Sequence, residues 1–194
     1  MRVVAATGNP GKLRELSALL APLGVEVVPQ SAFGIEPPPE TGASFLDNAL
    51  IKARHAVAVS GLPAIADDSG LEVDALGGAP GIHSARYAGE GASDTANNAR
   101  LLAALANVPP EKRLARYRAV IVYVRTANDP APLVGEGRWE GRIALAARGT
   151  GGFGYDPLFE PLDAPGTAAE LTPAEKNLRS HRGAALRALV AQWR

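Results

Sequence analysis

Residues 64–70 read Ala64-Ile65-Ala66-Asp67-Asp68-Ser69-Gly70, a strand-sized apolar run that stops at two adjacent carboxylates, a hydroxyl and a glycine. Such a run suits a buried strand that ends by pointing acids into a confined place. Adjacent carboxylates there repel each other, so they either bind a cation or hold a proton between them. The other reading is a pair of turn acids bonding backbone amides just after a strand.

Short apolar runs and helical stretches alternate along the chain. Residues 3–6 read as a strand, the turn Thr7-Gly8-Asn9-Pro10-Gly11 follows, and a helix is predicted from Lys12 to about Leu20. A second strand over 25–28 leads into an irregular loop over 33–42 with three consecutive prolines. Phe45, Ala49, Ala53, Ala56 and Val57 recur at helical spacing within 44–60, ahead of a strand at 65–66. Residues 71–91 are glycine-rich and read as irregular, after which Ser93 or Asp94 caps a helix through Ala106. Residues 113–126 and 133–147 suit a pair of strands, expected to be antiparallel around 128–132. Thr172-Pro173-Ala174-Glu175 is a capping box with proline at the first helical position. It opens a helix to near Trp193, with an interruption expected at Ser180 or Gly183. This order predicts an α/β protein, a mixed central sheet with flanking helices, as a single domain over residues 1–194.

Composition removes several function classes. Formal net charge is zero, so no basic field supports stable nucleic-acid binding, and an anion site must be local. No cysteine is present, which leaves oxygen and histidine as the metal ligands on offer. The apolar stretches are strand-sized and no secretory segment opens the chain, so a soluble cytoplasmic protein with no membrane partner is expected. Arginine dominates the basic residues. The four lysines are Lys12, Lys52, Lys112 and Lys176, and three of them lie in segments that look chemical on other grounds.

Thr7-Gly8-Asn9-Pro10-Gly11-Lys12 joins the first strand to the first helix, where backbone amides and the positive helix end attract phosphate. It is not a Walker A loop, because Ala6 and Leu13 stand where that pattern needs glycine and serine or threonine. The plainer reading is a βα turn with a solvated lysine. Glu40, at the end of the proline-stiffened loop, is either a metal ligand or an exposed acid, and Lys52 is either its functional neighbour or a solvated lysine. Gly149-Thr150-Gly151-Gly152-Phe153-Gly154-Tyr155-Asp156-Pro157 matches GxGxxG spacing, yet Asp156-Pro157 forbids the helix a dinucleotide loop needs. It reads instead as a tight glycine turn displaying Phe153 and Tyr155, to pack the core or to stack on a flat ring. Lys176, His181 and Arg182 gather donors suited to carbonyl oxygens or phosphate, or else form an ordinary basic helix face. His55 and His83 have no metal partner at ligand spacing and read as structural.

Taken together, these segments resemble the inosine triphosphate pyrophosphatase family. The resemblance is carried by residues 7–12, by Glu40-Thr41-Gly42 with Phe45 and Asn48-Ala49, and by Ala66-Asp67-Asp68-Ser69-Gly70-Leu71. Pro80-Gly81-Ile82-His83-Ser84-Ala85-Arg86-Tyr87, residues 151–157, and Glu175-Lys176-Asn177 with Ser180-His181-Arg182-Gly183 complete it, in order and over nearly the whole chain. Pro10 falls at a variable position.

The resemblance implies a homodimer of α/β subunits, each with two lobes around a nucleotide cleft. It also implies Mg²⁺-dependent hydrolysis of ITP, dITP and XTP to the monophosphate and pyrophosphate. Under it Glu40 and Asp68 are the metal ligands, and Asp68 activates water, with Asp67 a possible sharer of that work. Thr7, Gly8, Asn9, Pro10, Gly11, Lys12, Lys52 and Ser69 would hold phosphate. Phe153 would stack on the purine beside Gly154, Tyr155 and Asp156, while Lys176, His181 and Arg182 would donate to O6 of hypoxanthine or xanthine. A regulator that binds a triphosphate without cleaving it, and a phosphatase acting at the terminal phosphate, are the competing readings.

Overall fold

The computed structural model describes residues 1–193. Six strands, β1 (Arg2–Ala5), β2 (Glu26–Pro29), β3 (Ala64–Val73), β4 (Leu114–Val124), β5 (Leu133–Ile143) and β6 (Phe159–Pro161), form one sheet in the order β2-β1-β3-β4-β5-β6. β1 runs parallel to β2, with Val3 opposite Val27, and parallel to β3, with Ala5 opposite Ile65, whereas β5 and β6 are antiparallel. The sheet is therefore mixed, as the sequence predicts. Five helices accompany it: α1 (Pro10–Leu20), α2 (Phe45–Ser60), α3 (Asp94–Ala104), α4 (Pro173–Arg179) and α5 (His181–Val190). Among the described residues no helix is long and apolar enough to cross a membrane.

The chain forms two compact units. The first comprises Met1–Asp68, Ala119–Gly137 and the chain from Arg182 on; the second comprises Ser69–Arg118 and Arg138–His181. The core of the first gathers Val3, Ala5, Ile65, Ile121, Leu16 and Leu20 with Ala185, Leu186 and Leu189. That of the second gathers Leu71, Val73, Leu101, Leu105, Tyr117, Trp139 and Phe159. β4 reports the division in its own pattern. Exposed or half-buried Leu114, Arg116 and Arg118 alternate with buried Ala115 and Tyr117, while residues 119–124 are buried on both faces.

Local chemistry explains the helix ends. The Asn9 side chain accepts from the amides of Gly11 at 2.8 Å and Lys12 at 3.1 Å, with Pro10 opening α1, so that helix starts two residues earlier than its apolar pattern indicates. Ser44 caps α2 at the Asp47 amide, and Gly61 ends it in the left-handed conformation at φ 69°. The C-terminal helical stretch breaks at Ser180, whose backbone is extended at ψ 157°, and Gly183 lies inside α5.

Three expectations need correcting. β3 does not stop at the acids but runs ten residues to Val73, because Leu71 and Val73 enter the second core and extend the strand beyond the polar stretch. The segment read as irregular consequently contains the end of β3, and it also holds short 3₁₀ turns at Asp74–Leu76 and Gly81–Arg86. β6 carries no readable signal, since three residues are too few to show a period.

β5 alternates buried and exposed residues from Gly135 to Ile143. At Gly135 an added Cβ would lie 2.0 Å from the Ala185 carbonyl oxygen and 2.7 Å from the Leu189 nitrogen, so α5 rests directly on the β5 backbone. Gly135→Ala is expected to lower stability by about 1–3 kcal/mol. Each kcal/mol corresponds to about 2–4 °C in Tm for a domain of this size. A thermal melt reads this directly, and an unchanged Tm would contradict the close approach.

Candidate active site

In the first unit the two acids of β3 sit in different surroundings. Asp67 is 1% exposed; its Oδ2 accepts from Arg182 Nε at 2.5 Å, and its Oδ1 makes no hydrogen bond but lies 3.5 Å from Lys12 Nζ. Arg182, equally buried, also binds Glu15 of α1 through Nη1. Burial raises the Asp67 carboxyl, but the Arg182 guanidinium and then Lys12 outweigh it and hold it well below the ordinary carboxylate range. Burial lowers the Arg182 guanidinium in turn, and Asp67 and Glu15 more than restore it, so it stays charged.

Asp68 belongs to a second set. Lys52 Nζ donates to Asp68 Oδ1 at 2.7 Å, to the Asp67 carbonyl at 2.9 Å and to Glu40 Oε1 at 3.0 Å. The Asp68 carboxyl is pushed up by its burial, which Lys52 and Lys12 only partly offset and to which Glu40 adds. Lys52 remains an ammonium because Asp68 and Glu40 overcome its own burial. Burial, reinforced by Lys52 and Arg182 against the pull of Asp67, lowers Lys12.

α2 explains why Lys52 is here. It is buried on a helix whose small residues Ala49, Ala53 and Ala56 pack closely, and Asn48, one turn earlier, is fully buried beside it. Asn48 Oδ1 accepts from the Gly42 amide at 2.8 Å, and its Nδ2 reaches Asp68 Oδ2 at 3.4 Å. A Cβ on Gly42 would lie 2.5 Å from Asp47 Cβ, so only glycine brings the loop carrying Glu40 this near. The solvated reading of Lys52 is thus overturned. Asn48 lies within the motifs that carry the resemblance, and its position one turn before Lys52 is the signal that marks it as a site residue. Glu15 is a second site residue outside the expected set. It lies three residues after Lys12 on α1, the helix spacing that puts both side chains on one face.

Glu40 Oε1 and Asp68 Oδ1 both converge on the Lys52 ammonium, and carboxylate oxygens such as these are the donors that suit a hard divalent ion such as Mg²⁺. Among the described residues no three His, Cys, Asp or Glu side chains form a cage, and Mg²⁺ ordinarily completes its shell with water and phosphate oxygens. The turn over residues 7–11 caps itself, with the Asn9 amide donating to Thr7 Oγ1 at 3.1 Å, and presents Gly8, Asn9 and Pro10 on the surface.

The second unit holds the other expected residues. Asp156, 2% exposed, accepts at Oδ2 from Lys176 Nζ at 2.5 Å and from the Phe153 amide at 2.9 Å, and at Oδ1 from Tyr117 at 3.2 Å. Lys176 Nζ stands 4.5 Å from the centre of the half-buried Phe153 ring. Gly154 is held from both sides by α3: its amide donates to Asp94 at 2.7 Å, and its carbonyl accepts from Asn98 at 2.9 Å. His181 lies flat on Tyr117, with centroids 4.5 Å apart and planes 9° from parallel. Tyr155 is packed in the core, its hydroxyl donating to the Ser84 carbonyl at 2.7 Å, so its ring is a packing element. Burial raises its phenol. Ser69 is half-buried at the start of this unit. Lys176 and His181 therefore share one cluster, while Arg182 serves Asp67 in the other.

Comparison with known proteins gives one answer throughout. The model of the Ham1 family matches residues 3–192. A protein of Thioalkalivibrio sulfidiphilus named dITP/XTP pyrophosphatase is 60% identical over 190 residues, covering 98% of this chain and 97% of its own. One of the same name from Yersinia pseudotuberculosis is 59% identical over 189 residues, covering 97% and 96%. A solved Ham1 protein from Coxiella burnetii superposes with a TM-score of 0.90 at 47% identity, covering 100% of this chain and 98% of that one. Both the sequence over nearly its full length and the backbone it adopts are those of one group: the chain belongs to the Ham1 family.

Proposed function

We propose that this chain is a nucleoside triphosphate pyrophosphohydrolase that cleaves deaminated purine nucleotides, ITP, dITP and XTP, to the monophosphate and pyrophosphate. The observation that carries the reading is the split between Asp67 and Asp68. Neighbours in sequence, one is locked as an anion by Arg182 and Lys12, while burial drives the other toward taking up a proton. Two carboxyls whose environments separate them in this way divide acid–base labour. In this reading Asp68 accepts the proton of the water that attacks the innermost phosphorus. Asp67 keeps its charge and orients Arg182 and Lys12. Lys12, Lys52 and the amino end of α1 neutralise the pyrophosphate as it leaves.

Glu40 and Asp68 would hold Mg²⁺, whose positive charge would stabilise the phosphate oxygens during in-line attack. The second cluster gives the reading its specificity. Lys176 and His181 are donors and Phe153 is a flat face, an arrangement that favours a base with an acceptor at O6 and penalises the amino group of adenine. The family likeness supports, as part of the same proposal, a homodimer that works in the cytoplasm and keeps deaminated purines out of DNA and RNA. The names of the relatives, dITP/XTP pyrophosphatase, support the substrate class.

Incubation of ITP with the protein and Mg²⁺ is expected to release pyrophosphate and IMP. Orthophosphate as the first product would mean a terminal phosphatase, and no product would mean a binding protein. The two acids are expected to respond differently to amidation. Asp68→Asn should nearly abolish turnover while nucleotide affinity stays within about tenfold. Asp67→Asn takes one of two carboxylates from the buried Arg182 guanidinium, leaving Glu15, and should lower stability by about 1–3 kcal/mol. Turnover assays, nucleotide titration and thermal melts of the two variants check this pair, and wild-type-like turnover in Asp68→Asn would refute the assignment.

A further inference from the structure

We propose that Tyr117 is a positioning residue for base selection, an inference that rests on the pyrophosphohydrolase reading above. Its hydroxyl binds Asp156 and its ring carries His181, so one side chain of β4 holds two members of the recognition cluster. Tyr117 is 7% exposed and acts through its neighbours rather than on a ligand.

Asp156 is a buried carboxylate, and its orientation is set by the donors around it. Oδ2 accepts from Lys176 and from the Phe153 amide, and Oδ1 accepts from Tyr117. With donors on both oxygens, the Tyr117 hydroxyl on one and Lys176 and the Phe153 amide on the other, the plane of the carboxylate is set. The plane in turn fixes Lys176 Nζ over Phe153, the ring assigned to stack on the purine. His181 is constrained by a different route. Its imidazole lies 9° from the plane of the phenol, so the plane in which its ring nitrogens lie is set by the phenol. Tyr117 is itself wedged by Phe159, with centroids 4.6 Å apart at 51°.

Direction is what base selection requires. A donor held in line rewards the O6 acceptor of hypoxanthine and meets the amino group of adenine head-on, whereas a donor that can turn aside avoids that penalty. Without the hydroxyl, Asp156 loses one of the donors that set its plane, and the direction it gives Lys176 is less well defined. The preferred base then binds less well, and the excluded base is tolerated better.

Tyr117→Phe retains the stack and the volume and deletes only the hydroxyl. Its ITP to ATP ratio in kcat/KM is expected to narrow about tenfold, chiefly through a higher KM for ITP, with kcat for ITP within about twofold. A purely structural role predicts something else: a smaller folded fraction lowers activity on both nucleotides in proportion and leaves the ratio unchanged. Tyr117→Leu, which removes the stack as well, should narrow the ratio further. The same comparison is made without chemistry by titrating inosine and adenosine into wild type and Tyr117→Phe by calorimetry. Loss of the inosine preference supports the proposal, and a preference retained in the folded variant overturns it. If wild type releases no pyrophosphate from ITP, the functional reading fails, and the nucleoside titration still decides the role of Tyr117.

Discussion

A guanidinium with almost no access to water, that of Arg182, is the charge on which the acidic site of the first unit depends. Moving an ion of either sign out of water costs several kcal/mol, and the cost is offset only when the partner is close and the remaining hydrogen-bonding capacity is filled. Arg182 meets both conditions, with Asp67 on Nε and Glu15 on Nη1. Because α5 begins at His181 and α1 carries Glu15, this contact ties the last helix of the unit to the first. Asp67 can therefore stand at the middle of a buried strand as a permanent anion, and Lys12 is drawn to it.

The charges around that contact do not cancel. Four carboxylates, Glu15, Glu40, Asp67 and Asp68, face three cations, Lys12, Lys52 and Arg182. With every group charged, the cluster carries one more negative charge than positive. The excess is concentrated on Asp68 and Glu40, which compete for a single ammonium. Asp67, by contrast, lies against two cations, Arg182 and Lys12, the first of them shared with Glu15. The repulsion inherent in two adjacent acids is resolved by giving them unequal company, and unequal company is what distinguishes a group that holds charge from one that exchanges a proton.

Much of this was legible in the residues. The strand, glycine turn and helix at residues 3–20, the apolar run before Asp67-Asp68 and the capping box at Thr172 follow from local rules and are present, although α1 begins two residues ahead of its apolar pattern and β3 runs on beyond the acids. Long-range pairing was not legible. That Arg182 would leave the donors at Lys176 and His181 and cross 115 residues of sequence to Asp67 depends on the sheet order, which no local pattern encodes. Tyr155 is ambiguous in the sequence for a related reason: an aromatic in a glycine turn has the same local signature whether it stacks on a ligand or fills the core beside Ser84. β3 ran past its polar stretch because its last residues belong to a different core from its first, so one strand reads as two unrelated patterns.

The preference for arginine across the chain becomes interpretable once the lysines are located. Lys112, the lysine outside the motifs, is exposed, whereas Lys52 and Lys176 are buried and Lys12 is mostly covered. Arg182 shows what a guanidinium does well, bridging two separate carboxylates with a flat fork. Lys52 meets a different demand, three acceptors at 2.7 to 3.0 Å converging on one nitrogen from a loop, a backbone carbonyl and a strand. A planar fork cannot satisfy acceptors that close in around a point, while a tetrahedral ammonium has one proton for each. At Lys176 the same compactness lets a single charge bind Asp156 and still stand over the face of Phe153. At Lys52 and Lys176 the chain departs from arginine at buried positions where the acceptors close in around a point charge.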